Sequence, residues 1–141
     1  MGCDIHGWIE GYNMYLNRWD SLIQIDKIVS RNYKLFCSLA HVRCGLDKKK
    51  ILKHEKITID LKNQYINDVE VKTILGEKTK EYIQYWGIDG HNHRIIGLEE
   101  VLSFDKKEYI WDFQIIVDIF KSLNNNVSDF DNFRLVIWFD N

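Results

Sequence analysis

The run from Phe133 to Phe139, FRLVIWF, is dense in aromatic and β-branched side chains, and no other stretch constrains the fold as much. Such residues suit the crowded, pleated surface of a sheet, so the run is expected to be a buried strand. A neighbour is expected at the other end of the chain. From Cys3 to Ile9, the residues Cys3, Ile5, Gly7 and Ile9 fall on one side, and Asp4, His6, Trp8 and Glu10 on the other. That period of two is the pattern of a strand. Trp19 to Ile25 reads as the returning strand of a hairpin, across turn residues between Gly11 and Asn17. The expected architecture is a single α+β domain over residues 1–141, with a mixed or antiparallel sheet. Its N- and C-terminal strands would be neighbours, accompanied by about three helices.

The chain has no proline, so helix boundaries rest on glycine, asparagine and periodicity. Ser30 is the expected N-cap of a helix through RNYKLFCSLAHVRC that Gly45 would stop. Leu35, Phe36, Leu39 and Val42 would form its buried stripe. In the middle, Ile57 to Leu61 reads as a short strand, and Asn67 or Asp68 as the start of a short helix ending near Gly76. Tyr82 to Ile88 reads as extended, ahead of a loop from Gly87 to Gly90. Gly97 to Phe104 predicts a short helix with Leu98, Val101 and Leu102 inward. Tyr109 to Leu123 predicts a longer one with Ile110, Phe113, Ile116, Val117 and Phe120 on one face, ended by Asn124, Asn125 and Asn126. No internal repeat, linker or low-complexity tract is visible.

A length of 141 residues suits one domain, and 45% hydrophobic residues supply a core that a disordered chain would lack. A net charge of -2 creates no global field towards long nucleic acid or an acidic membrane. The lysines between Asp47 and Lys56 (Lys48, Lys49, Lys50, Lys53, Lys56) read as a solvated face. Cys3, Cys37 and Cys44 are odd in number with no paired spacing, which predicts reduced thiols used as small buried fillers. The opening MGCDIH lacks the features of a secretory signal, and no apolar run is long enough to cross a bilayer. A cytoplasmic protein is therefore expected.

Chemistry-bearing residues concentrate in three places. Asp4 and His6 share a strand face, roughly 6 to 7 Å apart at the backbone. Asp89, His91 and His93 project to one side if their segment is extended. Brought together, Asp4, His6, Asp89, His91 and His93 could ligate a divalent metal such as Zn, Mn, Mg or Fe. Without metal, His6, Asp89, His91 and His93 offer a general acid and base. Arg31, with Asn32 and Tyr33, opens a helix where phosphate is favoured, and Arg43 lies at the other end. Trp8 and Trp86 can stack on a planar base or serve the core. Asp140 can join the site if the last strand lies beside the first. His41 and His54 read as surface or boundary residues. Phosphate-binding loops, serine-hydrolase elbows and dinucleotide fingerprints are absent from the sequence.

The segments MGCDIH, RNYKLFCSLAHVR, WGIDGHNHRIIGLEEVLSFD and RLVIWFDN resemble a group of small proteins met chiefly in bacteriophage genomes. These proteins begin Met-Gly-Cys-Asp-Ile-His and carry an Arg-Asn-Tyr helix start and an Asp-x-His-Ser-like loop. The matching blocks contain Asp4, His6, Arg31, Asn32, Tyr33, Arg43, Asp89 and His91. This chain has Asn92 where the group usually has Ser, so no role is carried over to that side chain. The resemblance supplies a setting, a phage in its host, rather than a mechanism.

Two functions follow as expectations. The first is a phosphodiesterase that cleaves a cyclic mono- or oligonucleotide of host antiviral signalling. The histidines and aspartates would supply metal ligands or acid and base, Arg31 and Arg43 would meet the phosphate, and Asn32, Tyr33 or Trp86 would hold the rest of the nucleotide. The alternative is a protein that sequesters the nucleotide without cleaving it, or one that blocks a host protein. A pocket completed in a homo-oligomer is compatible with either.

Overall fold

The computed structural model describes residues 2–45, 51–62, 69–104 and 111–140. A five-stranded antiparallel sheet has the order β2-β1-β7-β6-β3. Its strands are β1 (Ile5–Asn13), β2 (Arg18–Gln24), β3 (Glu55–Lys56), β6 (His91–Gly97) and β7 (Phe130–Phe139). The terminal strands pair directly, from Ile5 opposite Phe139 to Gly11 opposite Phe133. β7 is central, flanked on both edges, and this explains why every residue from Phe133 to Phe139 is buried.

One face carries Ile5, Ile9, Phe133, Leu135, Ile137 and Phe139. It packs on α1 (Tyr33–Ala40), α3 (Leu98–Leu102) and α4 (Trp111–Asn126) through Leu35, Phe36, Leu39, Val101, Phe113, Ile116, Val117 and Phe120. Fully burying a side chain of this size stabilises the fold by about 1.5–3 kcal/mol. The opposite face carries Val136, Trp138 and Ile95, and packs on a smaller set around Ile83 of α2 (Glu77–Trp86). A two-stranded antiparallel ribbon, β4 (Ile59–Leu61) and β5 (Val69–Val71), adds Val71 and Ile59 to that side.

A buried ion pair ties α2 to the sheet. Glu10 is fully buried, and Arg134 on the neighbouring strand donates to its Oε1 at 2.8 Å. Gly76, just before the helix, donates its N–H to Glu10 Oε2 at 2.6 Å, and Arg134 also donates to the Ile74 carbonyl. A side chain at Gly76 would run into Glu10 and Ser21, so only glycine lets the helix start sit this close. Ser21 Oγ then accepts from Thr79 N at 3.0 Å, satisfying one of the helix's first N–H groups from another strand.

Several expectations are corrected. Tyr82 to Trp86 is helical, within α2, not extended: Thr79, Tyr82, Ile83 and Trp86 recur at helical spacing and turn towards the sheet. Val69–Val71 is a strand rather than part of a short helix, while Asn67 and Asp68 lie outside the described residues, as do Lys48, Lys49, Lys50, Tyr109 and Ile110. The N-cap of α1 is Asn32, whose side chain accepts from Leu35 N, and the helix stops at His41, left-handed at φ 59°, well before Gly45. Helix α4 runs past Leu123 and ends within the asparagine triple, at Asn126. Cys37 and Cys44 form a disulfide, while Cys3 is free and buried. The left-handed turn at His41 folds the chain back, leaving the two Cα atoms 4.7 Å apart, a geometry that spacing in the sequence does not reveal. No described helix is long and apolar enough to cross a membrane.

Candidate functional site

Strand register builds the site. Trp8 pairs with Gln24, and the Ile25 N–H continues the ladder to the Gly7 carbonyl, so Asp26 arrives beside His6. On the other edge His6 pairs with Trp138, and Asp140 follows on the same face two residues later. His6 is therefore flanked by a carboxylate from each neighbouring strand. Its Nδ1 is 2.7 Å from Asp26 Oδ2 and its Nε2 is 2.8 Å from Asp140 Oδ2.

An ionised carboxylate can only accept, so with both aspartates ionised each ring nitrogen must carry a proton. His6 is then an imidazolium. Burial of the ring opposes that charge, but the hydrogen bonds to Asp26 and Asp140 outweigh it and raise the pKa above its ordinary 6.5. Both aspartates are anchored in turn. Asp26 also accepts from the Gly7 N–H at 3.1 Å and from the Tyr82 hydroxyl at 2.6 Å, and Asp140 Oδ1 accepts from the Asp4 N–H at 3.0 Å. Tyr82 is pushed up to about 12 by burial and by the Asp26 hydrogen bond, so near neutral pH its hydroxyl keeps the proton that it donates to Asp26. Trp86, at the end of α2, covers the His6 ring with 4.1 Å between centroids.

The outer wall is charged. Arg31 grips Asp4 with a two-pronged contact, Nε to Oδ1 and Nη2 to Oδ2, each 3.0 Å. Those hydrogen bonds hold Asp4 below the usual carboxylate range. Both groups are about half exposed, so water screens the pair and an incoming anion can compete for the guanidinium. Tyr33 accepts from the Cys3 N–H at 3.3 Å, and the Arg43 guanidinium lies over its ring at 5.4 Å. Arg43 adopts φ 57° and sits inside the loop closed by the Cys37–Cys44 disulfide.

The second cluster does not converge on His6 as a unit. Asp89 is exposed in a single 3-10 turn, Gly87–Asp89. Asn92, at φ 53°, is the left-handed residue of a bulge that interrupts the β6–β7 register between His91 and Arg94. The extra residue breaks the alternation that would have aligned His91 with His93. His91 lies by Phe139 and meets the Asn92 side chain at 2.9 Å, whereas His93 stacks on Trp138. His93 is buried, and its Nε2 finds no hydrogen-bond partner among the described residues. Burial chiefly, with help from His91 and Arg94, pushes its pKa down to about 4. Its shift runs opposite to that of His6.

The residues flagged in the sequence are thus divided. Asp4, His6, Arg31, Tyr33, Arg43 and Trp86 lie around the His6 end of the sheet, with Asp140 beside them. Asn32 spends its side chain capping α1. No three His, Cys, Asp or Glu side chains are grouped to hold a metal ion among the described residues. Asp26 and Tyr82 were not flagged. Tyr82 was missed together with the helix that carries it, since its segment reads as extended. Asp26 depends on a bulge: between Ile9 and Glu10 the partner jumps from Ile23 to Ser21, leaving Leu22 as the extra residue. Without it, the hairpin register would put Ile25 opposite His6.

Fold and site together define an antiparallel α+β domain with one imidazole clamped by two carboxylates beside two arginines. No protein-family model, curated protein or solved structure matches the chain.

Proposed function

We propose that the protein is a phosphodiesterase that cleaves a cyclic mono- or oligonucleotide, and, on the resemblance to phage proteins, that this nucleotide is one of host antiviral signalling. The observation that carries this reading is the Asp26–His6–Asp140 clamp, an imidazole whose two ring nitrogens each meet a carboxylate and whose pKa is raised by them. In hydrolysis, a water oxygen attacks phosphorus and the bond from phosphorus to the leaving oxygen breaks. His6 gives its proton to that oxygen, and Asp140 takes the proton lost by the water. Arg31, moving from Asp4 to the substrate, and Arg43 offset the negative charge that gathers on the phosphoryl oxygens. A divalent metal (Zn, Mn or Mg) held by Asp4, His6, Asp89, His91 and His93 is the other chemical route. It would require Asp4 and His6 to leave the partners described above and Asp89, His91 and His93 to be brought to them.

A second reading has an observation of its own. Both nitrogens of His6 already have partners, as in a site that holds a ligand by fixed charge and never moves a proton. The protein would then sequester the nucleotide. To separate these readings, the protein is incubated with cyclic mono-, di- and trinucleotides, with and without EDTA, then denatured and the nucleotides separated by chromatography. Linear product that persists in EDTA supports acid–base cleavage, and product lost in EDTA supports the metal route. Intact nucleotide carried by the protein supports sequestration. If no nucleotide is bound or altered, the proposal fails.

A further inference from the structure

An open groove of about 410 Å³ runs between α2 and the β1–β2 edge, lined by Trp8, Gln24, Lys78, Glu81, Tyr82 and Tyr85. Trp8 is two residues along β1 from His6, on the same face, and Gln24 is its cross-strand partner. The rings of Tyr82 and Tyr85 lie nearly parallel, with 15° between planes and 6.0 Å between centroids. Tyr85 is 69% exposed, an aromatic surface left largely open to water. The groove is not separate from the clamp. Tyr82 forms part of its wall with its ring while its hydroxyl donates to Asp26, which holds His6.

We propose that this groove is the nucleobase subsite: a planar heteroaromatic ring stacks against Tyr85 and Trp8, and the Gln24 amide meets its polar edge. Three features select this occupant. Aromatic rings on both the helix and the strand suit a flat π-system. An amide supplies one donor and one acceptor group, as the hydrogen-bonding edges of bases require. The volume of about 410 Å³ lies within the range for small-molecule pockets. The Tyr82–Asp26 hydrogen bond then connects the base subsite to the proton-bearing His6.

The proposal rests on the nucleotide reading above, so the probes dissect the ligand. Adenosine 5′-monophosphate, ribose 5-phosphate and adenosine are titrated calorimetrically into the wild type, Tyr85→Ala and Tyr85→Phe. The expected result is that Tyr85→Ala weakens the monophosphate by about 5- to 150-fold. Tyr85→Phe should preserve its affinity, and ribose 5-phosphate should bind all three proteins alike. Tyr85 is exposed, so the fold is expected to survive, which circular dichroism checks. Equal affinity of the monophosphate for wild type and Tyr85→Ala overturns the base subsite and leaves the phosphate reading standing. Adenosine that binds in a Tyr85-dependent way, with no contribution from phosphate, keeps the subsite and sinks the phosphodiesterase. Binding of none of the three overturns both.

Discussion

Trp138 lies between two imidazoles that titrate in opposite directions, 6.3 Å from His6 and 6.0 Å from His93 between ring centroids. The pH dependence of stability should show both. The folded pKa of His93 is about 4, against 6.5 for an ordinary histidine. Between those values the unfolded chain binds a proton that the folded chain refuses, so this contribution is full above pH 6.5 and lost as pH falls towards 4. At about 1.4 kcal/mol per unit, the gap amounts to about 3 kcal/mol. His6 has the reverse sign. Its folded pKa is raised, so its contribution is full below pH 6.5 and lost as pH rises through the folded value. The perturbation is His93→Phe, which keeps a ring against Trp138 and removes the unpartnered nitrogen. Urea unfolding of wild type and variant at intervals from pH 7.5 to 4.5 gives the comparison, since carboxylates titrate alike in both. The wild type should lose up to about 3 kcal/mol more than the variant on acidification. Parallel curves would refute a buried, neutral His93.

Four further outcomes are expected. Glu10→Ala strands the buried Arg134 guanidinium and should destabilise the fold by about 3–5 kcal/mol, read as a lower urea midpoint; Glu10→Leu combined with Arg134→Met should recover most of that loss. The denatured, unreduced protein should react with a thiol reagent at Cys3 alone, and at Cys37 and Cys44 as well after reduction. His6→Gln should lower turnover of a cleavable cyclic nucleotide by about 10²- to 10⁴-fold while circular dichroism stays native, and wild-type turnover in that variant would remove His6 from the chemistry. Arg31→Met should raise KM for that nucleotide more than Tyr33→Phe does, because only the former removes a guanidinium that can grip phosphate.

Much of the sheet was legible because central strands announce themselves. Every position of FRLVIWF is apolar or aromatic except Arg134, and that arginine is the one whose charge is met by Glu10. The strand bearing His6 was equally plain from its alternation. The helix α2 was not, since only Thr79 and Ile83 are fully buried in a charged segment and the aromatic residues near its end have strong strand propensity. The site was half legible. Asp4, His6 and Asp140 lie on or beside strands whose type was readable, and the pairing of the terminal strands brings Asp140 to His6, whereas Arg31 and Arg43, expected inside a helix, lie on either side of it. Two bulges hid the rest. Leu22 shifts the hairpin so that Asp26 meets His6, and Asn92 turns His91 and His93 apart. Each is a single residue without proline or glycine to mark it, and each redirects side chains that period-two reasoning assigns to the wrong direction.

The central claim is that His6 stands as a proton donor near neutral pH, held by Asp26 and Asp140. The most direct test is nitrogen-15 NMR of the histidine rings, with His6 assigned through His6→Gln and the signals followed across a pH titration. The account predicts that both ring nitrogens of His6 carry protons at pH 7 and that its midpoint lies above 6.5. A neutral His6 ring at pH 7, with one bare nitrogen and a midpoint below 6.5, would contradict it.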